Sequence, residues 1–485
     1  MKPNKKLQSR SWRRIAGSTA LGRGLALAAA LFGSMSLASA ARASSWSSPS
    51  TWTVCPGAGP GSPYSDIQNA INQHRNEATI QAAVNAAMSG DTIEVCPGTY
   101  PEQVVINGKQ LNVYGPSTGV IRNWSPLQFP PGSFPPGQAI IMPGALLVAN
   151  ASDVDTGQPI AAVVVAENAA NINLTNFTID SSGNTVDACA TGALGSPSGN
   201  VVGILYQNAA GEAYGNQVQH TNPGVNNNGS CNSGFAIFAQ SNSTNAEQVE
   251  IISNAVLDYS EQGITVNDFP LTAEIQGNVV TGNGPDPILQ NAIQLAFEAV
   301  GQVQQNTVVN NVYSACTVGV GNCIYGATDI LVASTDSQGG HKGFGPAPGF
   351  GPGPGGCGST SLRVEENVVG VSNVPILLDE VAGGTVEANT VYASQVLDGI
   401  QVIGSFTNQQ NEVDENNVFN SAEFGINIRG VNNFIGQNVI NGAPVGLELS
   451  SASGNQVGFG NLFFNTQTPI VDPPAQTSIQ PLVRR

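Results

Sequence analysis

Short apolar runs recur at nearly regular intervals from residue 203 onward. The recurring apolar position falls at Ile204, Ile237, Ile264, Ile293, Ile330, Ile376, Ile400, Ile426 and Leu447. Most steps between neighbouring positions are 21–29 residues long, and the longer steps contain inserted loops. A step of this length matches one rung of a solenoid that holds two or three short strands. The pattern therefore predicts an all-β coil of stacked strands.

The stretch 79–115 predicts a short helix followed by three strands. Its apolar stripe at helical spacing consists of Ile80, Val84, Ala87 and Met88, and Gly90 is expected to end the helix. The three β-branched runs that follow are Thr92–Val95, 103–106 and Leu111–Tyr114. Other strands are expected at 52–54, 140–141, 161–165 and 172–179, and a helical turn at 67–71. The order of these elements suggests a helical cap on a stack of strands.

This stretch resembles the N-terminal end of secreted proteins of the pectin-lyase-like superfamily. The resemblance lies in the helix, the turn GDTI and the run PGTYPEQV. Residues 248–314 are similar to a widespread group of bacterial extracellular β-helix proteins. The resemblance implies a single-stranded right-handed parallel β-helix whose open end is plugged by a small helix. It implies no particular activity, because the plug carries no catalytic residue.

A second repeat places asparagine two residues before an apolar residue. It occurs at Asn254, Asn278, Asn306, Asn367, Asn389, Asn417, Asn438 and Asn461. Asparagine side chains cap backbone groups at bends and can stack into ladders along a solenoid axis. We expect these residues to be structural.

Strand periodicity predicts two outward-facing ladders of side chains. The first consists of Thr265, Gln294, Leu331, Leu377, Gln401, Asn427 and Glu448, and the second of Asn267, Ala296, Ala333, Asp379, Ile403, Arg429 and Ser450. We expect a ligand groove along these ladders over residues 262–430. The Gly/Pro-rich segment 337–360 is expected to form a flap beside it.

The ladders supply the candidate site residues. Amides and carboxylates spaced by one rung can meet successive hydroxyls of a polysaccharide, so the expected binding residues are Asn267, Asp268, Gln294, Gln401, Asn427 and Arg429. The candidate catalytic residues are Asp379, Glu380 and Asp398. Asp379 is the preferred acid or base, because apolar Ala333 and Ile403 should raise its pKa.

Two functions are consistent with this pattern. The favoured one is a secreted β-helix protein that binds extracellular polysaccharide or serves as a cell-surface element. The alternative is a divergent carbohydrate-active enzyme: a polysaccharide lyase, glycoside hydrolase or epimerase. The motifs of polygalacturonases, pectinesterases and alginate epimerases are absent from this chain, which favours the first function.

The N-terminus has the pattern of a secretory signal. Seven basic residues precede an apolar run at 25–37, and small residues follow before position 43. We expect cleavage near residue 43, secretion or a periplasmic or cell-surface location, and no membrane span. After the signal segment we expect one β-helix domain at 44–471 and a C-terminal tail at 472–485.

Removing residues 1–43 leaves eight basic against 33 acidic residues, a net charge of −25. Such a charge disfavours nucleic acid and anionic membranes as partners. It also disfavours binding of uronate polymers, unless bound calcium reverses the local charge. We expect no cofactor, but calcium binding is left open. Three histidines and no Cys-x-x-Cys pair argue against a zinc site, and no metal ligands are assigned. A monomer is expected.

Seven cysteines in an exported chain predict disulfides. The two Val-Cys-Pro-Gly strings place Cys55 and Cys96 at equivalent positions of stacked strands. Cys189 is expected to pair with Cys231, and Cys316 with Cys323. The state of Cys357 stays open.

Overall fold

A computed structural model of the chain describes residues 49–55, 76–116, 137–144, 147–182, 200–221, 234–268, 270–316, 326–333, 362–392, 394–404, 409–450, 453–472 and 478–479. These residues form one helix, α1 (Ile80–Ala86), and 40 strands. The strands up to the first long loops are β1 (Thr51–Val54), β2 (Asn76–Glu77), β3 (Thr92–Val95), β4 (Gly98–Tyr100), β5 (Val104–Asn107), β6 (Leu111–Tyr114), β7 (Ala139–Ile141), β8 (Ala151–Ser152), β9 (Pro159–Glu167), β10 (Ile172–Thr175), β11 (Phe177–Asp180), β12 (Asn200–Gln207), β13 (Gly211–Tyr214) and β14 (Gln217–Thr221).

The central strands are β15 (Gly234–Gln240), β16 (Glu247–Ile252), β17 (Ala255–Tyr259), β18 (Gln262–Asn267), β19 (Leu271–Gln276), β20 (Val279–Asp286), β21 (Asn291–Ala296), β22 (Val300–Gln304), β23 (Thr307–Tyr313), β24 (Thr328–Ala333), β25 (Arg363–Glu365), β26 (Val368–Gly370) and β27 (Val374–Asp379). The last strands are β28 (Thr385–Glu387), β29 (Thr390–Tyr392), β30 (Ile400–Ile403), β31 (Glu412–Asp414), β32 (Asn417–Phe419), β33 (Phe424–Arg429), β34 (Phe434–Gly436), β35 (Val439–Asn441), β36 (Val445–Leu449), β37 (Gln456–Val457), β38 (Leu462–Phe464), β39 (Thr468–Val471) and β40 (Ser478–Ile479).

The strands form three long sheets, which we name A, B and C. Sheet A has 15 strands in the order β2-β1-β3-β6-β10-β13-β16-β19-β22-β25-β28-β31-β34-β37-β40. Sheet B has 12 strands, β38-β35-β32-β29-β26-β23-β20-β17-β14-β11-β7-β4, and sheet C has 13, β39-β36-β33-β30-β27-β24-β21-β18-β15-β12-β9-β5. From β10 onward, neighbours in a sheet are three strands apart in sequence, so each rung supplies one strand to each sheet. The fold is a right-handed parallel β-helix.

The strand register confirms the predicted repeat. The recurring apolar residues are direct cross-strand partners in sheet C, beginning with Ile204 and Ile237 and ending with Ile426 and Leu447. Ile330 and Ile376 also lie opposite each other, although the inserted loop makes their step 46 residues long. These side chains belong to one interior core that extends from Val54 to Val457. Burying each such aliphatic side chain contributes roughly 1.5–3 kcal/mol.

A continuous asparagine ladder occupies the bend between sheets A and B. Each side-chain Nδ2 donates to Oδ1 of the next member at 2.9–3.1 Å. The buried members are Asn216, Asn254, Asn278, Asn306, Asn367, Asn389, Asn416, Asn438 and Asn461. The prediction of a structural asparagine ladder is confirmed, with one correction. Asn416 is the member in its rung and Asn417 is not, because Asn417 already begins β32 and is only half-buried.

Opposite charges hold α1 at both of its ends. The Glu102 carboxylate accepts hydrogen bonds from the Ile80 and Gln81 amides at 2.8 and 2.9 Å. The Lys109 ammonium donates to three carbonyl oxygens at the C-terminal end, those of Val84, Asn85 and Ala87 at 2.8–2.9 Å. Both charges complement the helix dipole. The helix thus caps the coil, as predicted.

Two details of this predicted helix are wrong. The helix ends at Ala86 and not at Gly90, and the Ala87 amide bonds the Ala83 carbonyl at that end. Met88 therefore lies beyond the helix and is exposed instead of joining the apolar stripe. The expected helical turn at 67–71 lies outside the described residues.

Strand predictions are confirmed in position and corrected in length. The expected strand 172–179 is two strands, because Asn176 adopts φ 62° and turns the chain from sheet A into sheet B. The expected strand 161–165 is the longer β9.

The cysteine predictions are tested in part. Cys55 and Cys96 form the predicted disulfide, with Cα atoms 4.9 Å apart. Cys316 is also disulfide-bonded. Its partner lies outside the described residues, as do both members of the expected pair Cys189–Cys231.

Several expected segments fall outside the described residues. They are the signal segment 1–43, the flap 337–360 and most of the tail 472–485. In the part of the chain that the structure describes, no helix is long and apolar enough to cross a membrane.

Candidate functional site

The register of sheet C places the predicted ladders as expected. Gln401 lies opposite Leu377 on one side and Asn427 on the other. Ile403 lies between Asp379 and Arg429 in the second ladder. The direction of these side chains was predictable because successive strand residues point to opposite faces.

Most of the predicted site residues are nevertheless buried. Asp268, Gln294, Asp379, Asp398, Gln401 and Asn427 all have little exposed surface. Asn267, Glu380 and Arg429 are half-buried. Strand alternation predicts the face of the sheet on which a side chain lies. It does not predict whether that face is exposed to solvent. The described part of sheet C therefore presents these residues as a covered polar layer.

Asp398 forms the polar centre of this layer. Asn427 Nδ2 donates to Asp398 Oδ2 at 2.8 Å. Burial raises the pKa of Asp398 to about 7, against the opposing effects of the Asn427 hydrogen bond and the Arg429 charge. Asp398 also accepts a hydrogen bond from the Phe424 backbone, whereas the buried Gln401 Oε1 and Asn427 Oδ1 meet no donor among the described residues. A group that satisfied them would have to donate hydrogen bonds or carry positive charge.

Asp379 has a different environment. Its strand neighbour Ala333 and the partly buried Ile403 belong to an apolar cluster on this face. Burial and then the negative charge of Glu380 raise the pKa of Asp379 to about 6, in the predicted direction. The charge of Arg429 acts instead on Asp398 and Glu448.

The two predicted catalytic aspartates lie far apart along the strands. Ile376 and Ile400 are partners, so Asp379 lies three positions after this pair and Asp398 two positions before it. Asp379 ends β27, Asp398 precedes β30, and neither carboxylate is among the charges that shift the pKa of the other. The paired carboxylates of glycosidases lie roughly 5–9.5 Å apart. This arrangement does not match such a pair.

Asp268 lies near the loop that follows β8. Burial and the nearby Asp155 and Asp153 carboxylates raise the pKa of Asp268 to about 8. The Ser241 amide donates to Asp268 Oδ2 at 3.3 Å. Because like charges crowd this position, Asp268 is suited to a protonated, structural role.

The outer face of sheet B carries an exposed aromatic row that the sequence analysis missed. Its members Tyr392, Phe419 and Phe464, the aromatic strip, lie in one ladder with Asn441 between the last two. The Tyr392 and Phe419 rings are stacked, with centroids 5.4 Å apart and planes 16° apart. Tyr392 is 46% exposed and Phe464 is 38% exposed. The signal was present, since each ring follows a ladder asparagine by three positions.

A second missed group lies at the N-terminal part of sheet B. His220 Nδ1 lies 2.9 Å from Asp180 Oδ1, and His220 Nε2 lies 3.9 Å from Asp258 Oδ2. The hydrogen bond with Asp180 raises the pKa of His220. Burial opposes ionisation of Asp180, but hydrogen bonds from His220, Ser182 and Gln219 outweigh it and lower its pKa to about 2. Sequence spacing could not show this group, because its members are 38–40 residues apart.

Comparison with protein families gives one partial match. A family model described as periplasmic copper-binding protein (NosD) matches residues 356–477, which is less than half of the chain. A search of curated proteins gives no match.

Several solved structures are similar at low identity. The periplasmic alginate epimerase AlgG is 13% identical over 69% of this chain and 79% of its own, with a TM-score of 0.35. The Dettilon tailspike protein is 13% identical over 79% of this chain and 64% of its own, with a TM-score of 0.37. The A-module of the Azotobacter vinelandii mannuronan C-5 epimerase AlgE6 is 12% identical over 84% of this chain and 94% of its own, with a TM-score of 0.33. At these TM-scores the fold assignment rests on the strand order of the chain itself.

Proposed function

We propose that this protein binds an uncharged extracellular polysaccharide along the aromatic strip of sheet B. The stacked pair of exposed Tyr392 and half-buried Phe419 carries the proposal. Parallel, solvent-exposed rings present a flat apolar surface on which the apolar face of a sugar ring can pack. A contiguous apolar row on a surface is typical of a binding site, whereas single exposed apolar side chains are common on any soluble protein.

The surroundings of the strip favour an uncharged ligand. The cross-strand partners that complete the row of the strip are Gly370 and Asn441. The row two positions earlier in the same strands consists of Val368, Thr390, Asn417, Val439 and Leu462. Neither row contains a charged side chain, whereas the chain without its signal segment has a net charge of −25. Amides such as Asn441 and the neighbouring Asn465, which donates to it at 2.8 Å, can exchange hydrogen bonds with sugar hydroxyls. An anionic polymer would be repelled.

The shape of the strip favours a polymer over a second protein copy. Five strands span about 19 Å along the coil axis. Two rows of side chains then cover an area on the order of 200 Å², compared with about 800 Å² per partner in a stable protein interface. A long and narrow apolar surface matches an extended chain of sugars.

The expected location is outside the cytoplasm. Disulfides such as Cys55–Cys96 persist in oxidising compartments. The description of the family that matches residues 356–477 as periplasmic agrees with this location.

Affinity electrophoresis of the protein in gels that contain single polysaccharides tests the proposal. We expect a neutral glucan, mannan or galactan to retard the protein more than alginate or polygalacturonate. Tyr392→Ala and Phe419→Ala should each weaken this retardation about three- to tenfold, the range of a single aromatic contact. Tyr214→Ala is the matched control, since Tyr214 is 37% exposed on sheet A. Retention of anionic polymers alone, or unchanged binding in both strip variants, would contradict the proposal.

A catalytic function is the second candidate, on one observation. The raised pKa values of Asp379 and Asp398, about 6 and 7, suit carboxyl groups that exchange protons near neutral pH. Incubation of each retained polysaccharide with the protein should then produce new chain ends, and Asp379→Asn should abolish them. Intact polymers after prolonged incubation with the unmodified protein reject this candidate and leave the binding proposal standing.

A further inference from the structure

Residues 148–158, which we name the strap, run across the outer side of sheet C. The strap contains β8, the one described strand outside the three stacks, and β8 pairs antiparallel with β9. Ala151 of the strap packs against a buried apolar cluster on this side of the sheet. The members of this cluster are Ile160, Ala162, Val165, Val202, Leu205, Phe235 and Phe238. The strap is therefore part of the cover of an apolar surface.

Side-chain amides hold the first half of the strap. Asn150 Nδ2 donates to the Ala162 carbonyl, and the Ala162 amide donates to Asn150 Oδ1, both at 2.9 Å. Gln240 Nε2 donates to the Ser152 carbonyl, and the Val154 amide donates to Gln240 Oε1, both at 3.1 Å. Amides do not ionise near neutral pH, so this half of the attachment is independent of pH.

A closed turn carries Asp155 at its tip. Asp153 Oδ1 accepts hydrogen bonds from the Asp155 amide at 3.2 Å and from the Thr156 amide and hydroxyl at 2.8 Å. The Gly157 amide donates to the Asp153 carbonyl at 2.9 Å, and the Asp153 amide donates to the Gln158 carbonyl at 2.8 Å. Gly157 adopts φ 68°, which glycine reaches without strain. The position of Asp155 is thus fixed by the strap itself.

The second half of the strap meets a carboxyl group of sheet C. Asp268 follows β18, is 8% exposed and is hydrogen-bonded to the Asp155 side chain. A hydrogen bond between two carboxyl groups requires a proton on one of them. The charged groups that act on Asp268 among the described residues are Asp155 and then Asp153, both acidic and both on the strap. Loss of the shared proton therefore leaves like charges together at a buried position.

We propose that the carboxyl pair Asp155–Asp268 is a pH-sensitive latch that holds the strap over the apolar cluster of sheet C. In the closed state the two carboxyl groups share one proton. When this proton is lost to solvent, the two negative charges repel each other and the second half of the strap detaches. Burial, followed by the two carboxylates of the strap, raises the pKa of Asp268 to about 8 in the closed state.

The direction of the pH dependence follows from proton linkage. With the strap open, Asp268 returns toward the ordinary aspartate pKa of about 3.9. The latch therefore contributes fully below about pH 3.9, and each pH unit between this value and about 8 favours opening by up to tenfold. Above about pH 8 the closed state has also lost its proton, so opening increases no further.

Hydrogen exchange of the strap amides between pH 5 and 9, measured by mass spectrometry, tests the latch. After correction for intrinsic exchange rates, protection of the Asn150 and Val154 amides should fall about tenfold or more between pH 5 and 8 and then level off. Asp155→Asn and Asp268→Asn should each keep the strap protected over this range. In both variants the asparagine amide can donate to the remaining carboxylate without a titrating proton.

A matched variant separates the latch from other buried acids. Asp398 is also a buried aspartate of sheet C with a raised pKa, so Asp398→Asn should leave the pH dependence of the strap unchanged. Circular dichroism confirms that each variant keeps its fold, and amides of the interior core serve as the reference. Strap protection that is independent of pH in the unmodified protein overturns the proposal, and so does an equal fall in the Asp155→Asn variant. A fall that extends equally to the reference amides shows general unfolding and overturns it as well.

Discussion

The side-chain Nδ2 of Asn306 lies 2.9 Å from Oδ1 of Asn367, although 61 residues separate them. The segments 317–325 and 334–361, outside the described residues, fall between these two positions. The ladder nevertheless continues with the same geometry on both sides, from Asn278 to Asn389. The asparagine ladder therefore fixes the register of successive rungs even where long loops interrupt the repeat.

Asn416→Ala should strongly destabilise the protein. The side chain donates to Val386 O, Asp414 O and Asn438 Oδ1, and its Oδ1 accepts from Asn389. Its loss leaves several buried groups unpaired, with an expected cost of about 3 kcal/mol or more. Asn417→Ala, one residue away and half-buried, should stay within about 1 kcal/mol. Urea unfolding of both variants checks this, and equal midpoints would contradict the role of the ladder.

The fold was largely predictable from the sequence because two periodic patterns agree. The rung step and the apolar alternation each identify the same strands, as the pairing of Ile264 with Ile293 shows. The one-residue error at Asn417 has a physical cause. Two adjacent asparagines occur there, and only the backbone bend determines which one points inward.

Lys109→Met should loosen the N-terminal cap. The ammonium donates to three carbonyl oxygens of α1 and its C-terminal end, which would otherwise lack partners. We expect a loss of about 1–2 kcal/mol. Lys109→Arg keeps the charge and should recover part of it. Hydrogen exchange of the 80–90 amides measures the effect, and unchanged protection in Lys109→Met would contradict it.

The pair His220–Asp180 should make stability pH-dependent in metal-free buffer. The folded pKa of His220 is raised, so its contribution is complete below about pH 6.5 and is lost as pH rises through the folded value. The folded pKa of Asp180 is lowered to about 2, so its contribution is present above about pH 3.9 and is lost as pH falls toward 2.

The His220→Gln variant tests this dependence. Its loss of stability should be greatest near pH 5 and should shrink by pH 9. Urea midpoints measured with EDTA from pH 4 to 9 provide the comparison. A loss that is equal at both ends of this range would contradict the assigned charges.

Asp398→Asn should stabilise the protein at alkaline pH. The folded pKa of Asp398 is raised to about 7, so its stabilising contribution is present below about pH 3.9 and is lost as pH rises through 7. The asparagine oxygen can still accept from Asn427, and the buried charge disappears. The advantage over the unmodified protein should therefore grow between pH 5 and 8 in thermal unfolding. Gln401→Leu, an uncharged change beside it, should shift the midpoint equally at every pH.

The candidate site was less predictable than the fold. The directions of Asp379 and Gln401 followed from strand alternation, but their burial did not, because alternation does not show whether a face is covered. The aromatic strip could not be recognised from local sequence, because Tyr392 and Phe419 are 27 residues apart and only the strand register brings them together. The group around His220 depends on register between strands about 40 residues apart, which no local pattern reveals.

Nitration of tyrosines in the presence of the best-retained neutral polysaccharide tests the central proposal most directly. Tyr392 and Tyr214 are both exposed and lie on sheets B and A respectively, so each reports on one face. Tetranitromethane treatment followed by peptide mass spectrometry measures both in one sample. Binding on the aromatic strip predicts that saturating polysaccharide protects Tyr392 and leaves Tyr214 as reactive as before. Equal reactivity of Tyr392 with and without bound polysaccharide would contradict the account.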